Sequence, residues 1–538
     1  MKKDTYVLGI SGGFSIGNQD ASAALIKNSE IVSAVEEERL VRVKHARGMF
    51  PKQSVQFCLS KAGITIKDVD YLAFHTDTYD NIIEDIKDYM NFHFGHCPEI
   101  KLVNHHMAHA CMYLVSGFDE AKILTIDYSG DGICTTLNHG KGNKITRLKE
   151  YKTPNSLGIF YALITQFLGF KMDSDEYKVM GLSAYGKDDS KLNEKMDKIL
   201  KIENNKYTLN EKVYKSTSTR QQCRYSEELI KILGKNRKSD DPVTQREMNI
   251  AKSAQKQFEK ACLELLKDLS SMVKSKNLCI SGGSALNCVM NSVLLQSEYV
   301  DNIYVPPVAG DSGASLGSAL FVANNLGFKF GKLKTSFLGP EYSNEEIKKD
   351  LDVLKLKYEY MDEEQLLDYI SNKILEGKII GWTQGRLEYG ARALGNRSIL
   401  ANPQDSDMKD KINKLIKFRE TFRPFAPSVT LETAGNYFKD AAPSPYMTLT
   451  FDVKTDKLPA ITHVDNTARV QTVSKDDNEL YYKLLKKLEE KSGIAVVLNT
   501  SLNIMGQPIV CSPKDALTVY GATGMDIMVL GNYVLSKE

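Results

Sequence analysis

The amino-acid sequence predicts an α/β protein with two domains, the first of which contains two similar halves. Strand-like runs that end in glycine-rich turns alternate with helical stretches along the chain, and this alternation is typical of α/β domains. The tetrapeptide Ile-Ser-Gly-Gly occurs at residues 10–13 and again at 280–283. An Asp among Gly and Ser likewise recurs, in residues 125–132 and 308–315. These repeats indicate a pseudo-symmetric nucleotide-binding fold with phosphate-binding turns in both halves.

The length and composition narrow the class of protein. A chain of 538 residues exceeds what one hydrophobic core supports, and its formal net charge of +2 gives no bulk attraction for nucleic acid. No apolar run reaches the length of a membrane span, and the first residues do not resemble a signal peptide. Nine cysteines without a C-x-x-C pair favour free thiols in a reducing compartment. We therefore expect a cytoplasmic globular protein, with neither a membrane nor nucleic acid as partner.

The first domain is predicted at residues 1–340. It opens with a strand from Tyr6 to Ile10, a glycine turn and two further strands, which together form a meander. A long amphipathic helix, with apolar residues at helical spacing from Ile250 to Met272, precedes the second Ile-Ser-Gly-Gly. Residues 187 to about 245 are rich in Lys, Asn, Asp and Ser, so we expect a solvated insertion with short helices there.

The second domain is predicted at residues 345–538, after a linker around 330–345 that contains a Gly-Pro turn. Two strand-like stretches, "GKIIGWTQG" and "SGIAVVLNTS", alternate with two helical stretches, "EEQLLDYISNKILE" and "NELYYKLLKKLEEK". This order again predicts an α/β domain.

A pair of histidines marks a candidate metal site. In "VNHHMAHACM", His105 and His109 are four residues apart and so share one face of a helix. Asp127 and Asp311 each follow an apolar strand among glycines, in what we take to be matching places of the two halves. Histidines packed in a core would account for the spacing about as well, but the two aspartates favour a metal. Two nitrogen and two oxygen ligands suit Fe(II), Mn(II) or Zn(II).

Two glycine turns are candidate phosphate or nucleotide sites. Their backbone amides suit an anion, although neither turn is a Walker A loop or a G-x-G-x-x-G motif and both could be purely structural. The residues concerned are Gly12 and Gly13 in the first turn and Gly282, Gly283, Ser284 and Asn287 in the second.

A basic cluster in the second domain predicts an anion pocket. Its guanidinium and ammonium groups stand beside Phe, Pro, Ala and Gly instead of among Lys and Glu, which favours phosphate binding over structural ion pairs. Hydroxyl and amide side chains suited to phosphate follow a predicted buried strand. The residues are Arg386, Arg392, Arg397, Lys417, Arg419, Arg423, Arg469, Thr500, Ser501 and Asn503.

Eight stretches together resemble the NodU/CmcH carbamoyltransferase family, in the family's order and nearly end to end. They are "NHHMAHA", "DEYKVMGLSAYGK", "SGGSALNC", "GDSGASLG", "GRLEYGARALGNRSILANP", "FRETFRPFAPSV", "HVDNTARVQTV" and "LNTSLNIMGQPIVCSP". The resemblance implies an N-terminal domain of the actin-like ATPase type, similar to the domain that makes threonylcarbamoyl-adenosine in tRNA. It implies a C-terminal domain similar to YrdC.

The resemblance also implies the chemistry. In the family, the YrdC-like domain makes carbamoyl-adenylate from carbamoyl phosphate and ATP and releases phosphate and pyrophosphate. The N-terminal domain then transfers the carbamoyl group to a hydroxyl of a small molecule, such as a sugar or an antibiotic, and AMP leaves. The expected cofactors are ATP with Mg, carbamoyl phosphate as co-substrate, and Fe(II) or another divalent metal. A homodimer would fit the family's habit.

The family's functional residues match specific positions here. The resemblance implies that His105, His109, Asp127 and Asp311 bind the metal and that Gly282, Gly283, Ser284 and Asn287 bind the adenylate. Glu176 and Lys178 lie in another nucleotide motif. The carbamoyl phosphate and ATP pocket is matched by Arg386, Arg392, Lys417, Arg419, Arg423, Thr500, Ser501 and Asn503.

One position departs from the family pattern. Where relatives usually have His-Asp in the first turn, this chain has Gln19 and Asp20. Glutamine accepts a hydrogen bond but takes no proton at neutral pH, so it cannot replace a histidine base. Asp20, His106 and His45 are candidate replacements. A tRNA-modifying carbamoylating enzyme and a nucleotide-binding regulatory protein that lost the transfer step remain alternative functions.

Overall fold

The computed structural model describes residues 4–13, 19–76, 78, 80–216 and 223–537. The chain divides into two compact units, residues 1–37 with 46–333 and residues 38–45 with 334–538. The short segment 38–45 belongs to the second unit because Arg42 donates hydrogen bonds to the carbonyl oxygens of Pro508 and Ile509, at 3.0 and 2.6 Å. No sequence pattern signals this exchange of a segment between the units.

The first unit contains two five-stranded sheets. In the first sheet the strand order is β3-β2-β1-β4-β5, with β1–β3 antiparallel as the predicted meander and β4 and β5 parallel to β1. The strands are β1 (Tyr6–Ser11), β2 (Ser22–Lys27), β3 (Glu30–Glu36), β4 (Tyr71–Phe74) and β5 (Glu99–Leu102).

The second sheet repeats this topology. It begins with a meander, β6 (Glu120–Gly130), β7 (Ile133–Lys141) and β8 (Lys144–Lys152). Two short hairpins follow in the predicted insertion, β9 (Leu200–Glu203) with β10 (Lys206–Leu209) and β11 (Tyr214–Ser216) with β12 (Cys223–Tyr225). The sheet is completed by β13 (Asn277–Ser281) and β14 (Asn302–Tyr304), both parallel to β6, in the order β14-β13-β6-β7-β8.

The two halves are thus similar, but the short sequence repeats do not mark equivalent positions. The first Ile-Ser-Gly-Gly lies at the end of β1, which is the first strand of the first sheet along the chain. The second lies at the end of β13, which is the fourth strand of the second sheet along the chain. Asp127 and Asp311 both belong to the second half, at β6 and after β14. The expectation that these aspartates occupy matching places of two halves is wrong, because the duplication is one of topology and the repeats are short combinations of common residues.

Helices cover the sheets of the first unit. The predicted amphipathic helix is confirmed as α9, and its apolar face is buried from Ile250 to Leu269. Helix α1 (Glu37–Val41) lies almost wholly in the segment 38–45 of the second unit. The helices of the first unit are α2 (Lys52–Ala62), α3 (Ile82–Phe94), α4 (His105–Ala110), α5 (Leu157–Phe167), α6 (Glu176–Ser183), α7 (Ser190–Ile199), α8 (Glu227–Leu233), α9 (Gln245–Met272), α10 (Cys288–Leu295) and α11 (Ser312–Asn325).

Helix α11 lies against both the first sheet and α4. Small residues permit this close approach: a Cβ on Gly317 would lie 1.9 Å from the carbonyl oxygen of Ala108 in α4. On the other side, the hydroxyl of Ser22 in β2 donates to the carbonyl oxygen of Ser312 at 2.5 Å. Because α11 is fixed on both sides, Asp311 at its N-terminus has a defined position.

The second unit is built on one nine-stranded mixed sheet, so the α/β class is confirmed for both units. The strand order is β15-β23-β22-β16-β17-β21-β18-β20-β19. The strands are β15 (Glu359–Tyr360), β16 (Ile380–Thr383), β17 (Arg397–Ala401), β18 (Ala426–Thr430), β19 (Leu449–Asp452), β20 (Thr467–Val473), β21 (Val496–Ser501), β22 (Ile527–Leu530) and β23 (Tyr533–Ser536).

Helices of the second unit pack against this sheet around the buried Trp382 and Tyr481. The two helices of this core are α13 (Glu363–Leu375) and α16 (Glu479–Ser492). The unit also contains α12 (Asn344–Val353), α14 (Met408–Ile412), α15 (Ala434–Tyr437) and α17 (Pro513–Ala522), with a π-helical turn at Asn413–Lys417. Across the described ranges, every helix is too short or too polar to cross a bilayer.

Candidate functional site

Four side chains converge in the first unit into what we call the metal group: His105, His109, Asp127 and Asp311. One ligand atom from each lies within 4.8 Å of all the others. Asp127 Oδ2 is 3.2 Å from His105 Nε2 and 3.0 Å from His109 Nε2, and Asp311 Oδ1 is 3.8 and 3.5 Å from the same nitrogens. Both histidines are buried, whereas the Asp311 side chain is 32% exposed. The group is therefore open on the Asp311 side.

This geometry fits a divalent metal ion. Around an ion with bonds of about 2.1 Å, neighbouring ligand atoms are about 3.0–3.4 Å apart, which is close to the separations found here. The nitrogen atoms of His105 and His109 also lie 3.2 Å from one another and face the same carboxylate. Two imidazole nitrogens and two carboxylate oxygens form a donor set that Fe(II), Mn(II) and Zn(II) accept.

The N-terminus of α4 is fixed by Asp131, in the turn between β6 and β7. Its carboxylate accepts hydrogen bonds from the backbone N–H of His105 at 2.7 Å and from the Thr78 hydroxyl at 2.8 Å. Gly130 makes room for the ring: a Cβ there would lie 2.1 Å from His105 Cγ. On the opposite side, the hydroxyl of Ser281 lies 3.4 Å from His109 Nδ1. Both imidazoles are thus held by neighbouring elements.

The charges of the metal group are strongly coupled. Burial disfavours a charged imidazole, but the hydrogen bonds to the Asp127 and Asp311 carboxylates raise the pKa of His109 to about 9. Burial likewise opposes the charge of Asp127, yet His105 and His109 hold its pKa well below the ordinary value. Without a metal ion, the group therefore attracts a proton to the position that an ion would take.

The three candidate replacements for the histidine base, His106, His45 and Asp20, lie in three different environments. His106 is fully buried, with its ring nitrogens 2.7 Å from the Thr125 hydroxyl and 2.9 Å from the Ile133 carbonyl oxygen. Burial lowers its pKa to about 3, so this ring is a core residue. His45 belongs to the second unit. Asp20 follows Gln19 in a left-handed turn with φ of 58°, and its carbonyl oxygen accepts from Ser11 Oγ at 3.1 Å.

A further histidine, His75, lies beside the metal group. It follows β4, and its ring centroid is 5.6 Å from that of His105. Burial and the neighbouring His105 lower its pKa to about 4, so its ring is neutral at physiological pH. The sequence "AFHTDTYDN" has no spacing that would single it out.

The predicted adenylate turn lies directly against the metal group. Gly282 has φ of 94°, and a Cβ there would lie 2.3 Å from the Ile126 carbonyl oxygen. A Cβ on Gly283 would lie 3.1 Å from Asp127 Oδ1. Asn287, by contrast, is occupied within the protein: its Oδ1 caps α10 by accepting from Met290 N–H at 3.0 Å, and its amide pairs with Gln255. The glycines are therefore better placed than Asn287 to approach a nucleotide.

Glu176 and its helix α6 lie near this turn. Cys288 Sγ and Met180 Sδ are 3.9 Å apart, which joins α6 to the start of α10. Burial raises the pKa of Glu176 to about 7, and its carboxylate accepts from the Asp173 N–H at 2.8 Å. Lys178 instead forms an ion pair with Asp175 at 3.2 Å. Glu176 is therefore a half-buried carboxyl group whose charge the surroundings disfavour, whereas the charge of Lys178 is paired.

In the second unit, Lys417 forms a cluster with Ser501 and Asn503. Its buried ammonium donates to the carbonyl oxygen of Ser501, to Asn503 Oδ1 at 2.8 Å and to the Asn503 carbonyl oxygen at 3.2 Å. Burial, together with Arg419 and Arg423, lowers the pKa of Lys417 well below the ordinary value. We call these three residues, all of which belong to the predicted anion pocket, the Lys417 cluster.

Several of the predicted arginines are engaged with the protein itself. Arg386 donates to the carbonyl oxygens of Leu338 and Gly339, at 2.5 and 3.2 Å. Arg397 is 1% exposed and donates to several backbone carbonyls, including that of Gln384 at 2.6 Å. Arg419 donates to Asn413 Oδ1 and stacks over the Phe425 ring at 4.5 Å, and Arg423 pairs with Glu420 at 3.4 Å.

One face of the nine-stranded sheet carries further polar residues of this region. Gln471 Oε1 accepts from Ser428 and Asn499, while its amide donates to the Leu394 carbonyl oxygen at 2.8 Å. Arg469 lies two residues earlier on β20 and so shares that face, and its buried Nε has no hydrogen-bond partner among the residues that the structure describes. Thr500 and Ser501 end β21, which is separated from β20 by β18.

Comparison with known proteins identifies the family. The family model described as carbamoyltransferase N-terminus matches residues 7–93 and 87–320, and the one described as carbamoyltransferase C-terminus matches residues 371–537. The chain belongs to the carbamoyltransferase family. The resemblance inferred from the eight stretches is confirmed.

Curated relatives of this carbamoyltransferase share about a third of its residues. It is 36% identical to the uncharacterised protein sll1178 of Synechocystis, over 99% of this chain and 97% of that protein. The nodulation protein NolNO of Sinorhizobium fredii is 33% identical, over 99% of this chain and 82% of its own. A 3'-hydroxymethylcephem-O-carbamoyltransferase of Amycolatopsis lactamdurans is 34% identical, over 48% of this chain and 49% of its own.

Sequence reasoning missed three residues that hold or flank the metal group of this carbamoyltransferase: His75, Asp131 and Ser281. A signal existed for Asp131, since "TIDYSGDG" contains two aspartates and only Asp127 was selected. Ser281 belongs to the repeated tetrapeptide Ile-Ser-Gly-Gly, in which only the glycines were predicted to be site residues. These residues act through tertiary contacts that a linear pattern does not show.

Proposed function

We propose that the protein is an ATP- and carbamoyl-phosphate-dependent O-carbamoyltransferase that modifies a hydroxyl group of a small molecule in the cytoplasm. The observation that carries this proposal is the metal group, set against a glycine turn, in a chain that matches both halves of the carbamoyltransferase family. The printed activity of the Amycolatopsis relative, an O-carbamoyltransferase, supports a hydroxyl acceptor. The eight free cysteines among the described residues support a reducing compartment.

We assign adenylate formation to the YrdC-like domain at residues 345–538. Hydrolysis of carbamoyl phosphate releases phosphate and leaves carbamate. A carbamate oxygen then attacks the α-phosphorus of Mg-bound ATP, so that carbamoyl-adenylate forms and pyrophosphate leaves. The reactants carry several negative charges, and the Lys417 cluster, with Arg392, Arg419, Arg423, Arg469 and Thr500, supplies the complementary groups.

We assign carbamoyl transfer to the domain at residues 1–340, of the actin-like ATPase type. Its duplicated sheet topology supports this fold, and Gly282, Gly283 and Ser284, with Glu176, are the proposed adenylate contacts. The acceptor oxygen attacks the carbamoyl carbon, the bond to the phosphate oxygen of AMP breaks, and AMP leaves with the electron pair. The acceptor's proton passes to water, so the products are a neutral carbamate ester, AMP and one released proton.

The metal group fits Fe(II) or another divalent ion, and its four residues would hold it. When bound, such an ion polarises the carbamoyl oxygen. Asp131 and Ser281 keep the two imidazoles in place, and the glycine turn gives the adenylate close access to Asp127.

The first-turn residues Gln19 and Asp20 are proposed to face the acceptor, as the resemblance suggests. Gln19 Oε1 is buried and has no hydrogen-bond partner among the described residues, so it is able to accept a hydrogen bond from an incoming hydroxyl.

The proposal is tested by incubating the purified protein with ATP, Mg and carbamoyl phosphate. We expect pyrophosphate release that requires carbamoyl phosphate, followed by AMP release and a carbamoylated product detected by mass spectrometry when hydroxylated acceptors are screened. Pyrophosphate release without carbamoyl phosphate, or none at all, would contradict the proposal.

A further inference from the structure

We infer that His75 is a substrate-contacting residue that hydrogen-bonds the acceptor hydroxyl at the metal group. The inference rests on the proposed function and goes further by naming the group that receives the acceptor. It also assigns a role to a histidine outside the set that the family resemblance implies.

The unsatisfied nitrogen of His75 is the first observation. The residue is only 8% exposed, and its buried Nδ1 has no hydrogen-bond partner in the part of the chain that the structure describes. Burying a polar atom without a partner is costly, so such an atom in a native site calls for a ligand or a bound water. A neutral imidazole offers one donor and one acceptor, and a hydroxyl is complementary to either.

The position of His75 is fixed next to the metal group. The preceding residue, Phe74, accepts from the backbone N–H of Val103 at 2.8 Å, just before α4. The following residue, Thr76, donates to Asp131, which also accepts from the backbone N–H of His105. The backbone is thus tied on both sides of His75 to the helix that carries the metal-binding histidines, which keeps the ring beside His105.

The side on which His75 lies distinguishes the acceptor from the adenylate. His109 contacts Ser281, and Asp127 is approached by the turn at Gly283. Ser281 and this turn both belong to the second half of the unit. His75 lies instead beside His105, at the end of β4 in the first sheet. If the adenylate occupies the glycine turn, the attacking hydroxyl must approach from another side. There, within the described part of the chain, the Nδ1 of His75 is a buried polar atom without a hydrogen-bond partner.

His75 also lies on the sheet edge where this chain departs from its family. In the parallel pairing of β1 with β4, Ile10 is opposite Phe74. The next residues along the two strands, Ser11 and His75, therefore lie at the same end of the sheet. Ser11 pairs with Ser22, three residues after Gln19. Gln19 and His75 therefore stand at the same edge of the sheet, and each has a buried polar atom that lacks a partner among the described residues.

The test compares two substitutions of His75 in the full-length protein. His75→Asn places an amide atom near the position of Nδ1 and keeps the hydrogen bond, whereas His75→Leu has similar bulk and no polar atom. Both variants are loaded with Fe(II), and metal content is measured by mass spectrometry. With ATP and carbamoyl phosphate, pyrophosphate release reports adenylate formation, and AMP release reports transfer to two hydroxyl probes, water alone and then added glycerol.

We expect His75→Leu to slow AMP release by roughly 10- to 100-fold, the loss typical of one buried hydrogen bond to a reacting group. Pyrophosphate release and metal content should stay within about twofold of the wild type, and His75→Asn should recover most of the AMP release rate. Wild-type AMP release from His75→Leu, or equal impairment of both variants, would overturn the inference. Absence of carbamoyl-phosphate-dependent pyrophosphate release from the wild type would instead overturn the proposed function.

Discussion

The metal group of the first unit and the arginines around the Lys417 cluster of the second unit differ in what their polar side chains contact. In the metal group, one ligand atom from each of the four residues lies within 4.8 Å of the other three. In the second unit, Arg386 and Arg397 donate to backbone carbonyls. An arginine has five donors on a long side chain and can serve a nearby loop as readily as a ligand. Two histidines one helical turn apart have no such freedom, because the helix itself aims both rings the same way.

The largest effect is expected from removing a ligand of the metal group. His109→Ala should abolish bound metal and carbamoyl transfer while leaving carbamoyl-phosphate-dependent pyrophosphate release unchanged, because one of four donors is lost. The loss in metal affinity should exceed the roughly 10–100-fold typical of outer-shell partners. Metal content by mass spectrometry and the two half-reactions provide the measurement.

His96→Ala is the matched control for this substitution. His96 is exposed on the chain before β5 and has no part in the metal group. Full metal content in His109→Ala would show that the group is a hydrogen-bonded cluster of core residues.

A second large effect is expected in the Lys417 cluster. Lys417→Met keeps the length of the side chain and removes its charge, so pyrophosphate release should fall by about 100-fold or more, as when one preorganised electrostatic contact is lost. Metal content should not change. Lys414→Met, an exposed lysine in the same π-helical turn, is the control. Equal pyrophosphate release from both variants would mean that the ammonium of Lys417 only braces the chain at Ser501 and Asn503.

The sequence predicted the elements of this fold better than their symmetry. Helix α9 and the opening meander follow directly from apolar periodicity, since a helix or strand with one buried face requires it. The duplication was inferred from repeats that turn out to lie at inequivalent strands. Equivalent strands of the two sheets share topology without sharing those residues, so short identities are a poor guide to which positions correspond.

The site was predictable where local geometry carries it. His105 and His109 follow from helical spacing. The two aspartates do join them, but not at strand ends as expected: Asp127 lies within β6, and Asp311 lies at the N-terminus of α11. His75 was not predictable, because its proximity to His105 depends on the pairing of β4 and on the bonds through Asp131. The structural role of Arg397 was not predictable either, because it donates to backbone carbonyls in loops whose course no linear motif specifies.

A smaller effect should come from crowding the metal group without touching a ligand. In Gly130→Ala the new Cβ would lie 2.1 Å from His105 Cγ, so the ring must shift. We expect metal affinity to fall by roughly 10- to 100-fold, as for other changes that misplace a ligand. Gly331→Ala, where a Cβ meets nothing within 4 Å, is the control. An unchanged metal affinity in Gly130→Ala would show that the backbone of β6 shifts at this point without moving the His105 ring.

The mildest test is a change of pH. Because the carboxylates raise the pKa of His109 to about 9, the metal-free protein holds a proton there at neutral pH. A metal ion must displace that proton, so Zn²⁺ affinity should rise by up to tenfold per pH unit and level off above about pH 9. Titration calorimetry in buffers of different ionisation enthalpy counts the protons released, about one per ion at pH 7.

Asp127→Asn then separates the two ways in which a carboxylate acts on the metal group. The substitution removes one of the charges that stabilise protonated His109, so the pKa of His109 should fall and proton release should end at a lower pH. Zn²⁺ affinity should fall as well, because a ligand is lost. Proton release that ended at the same pH in both proteins would mean that Asp127 contributes only as a ligand and that the raised pKa of His109 has another source.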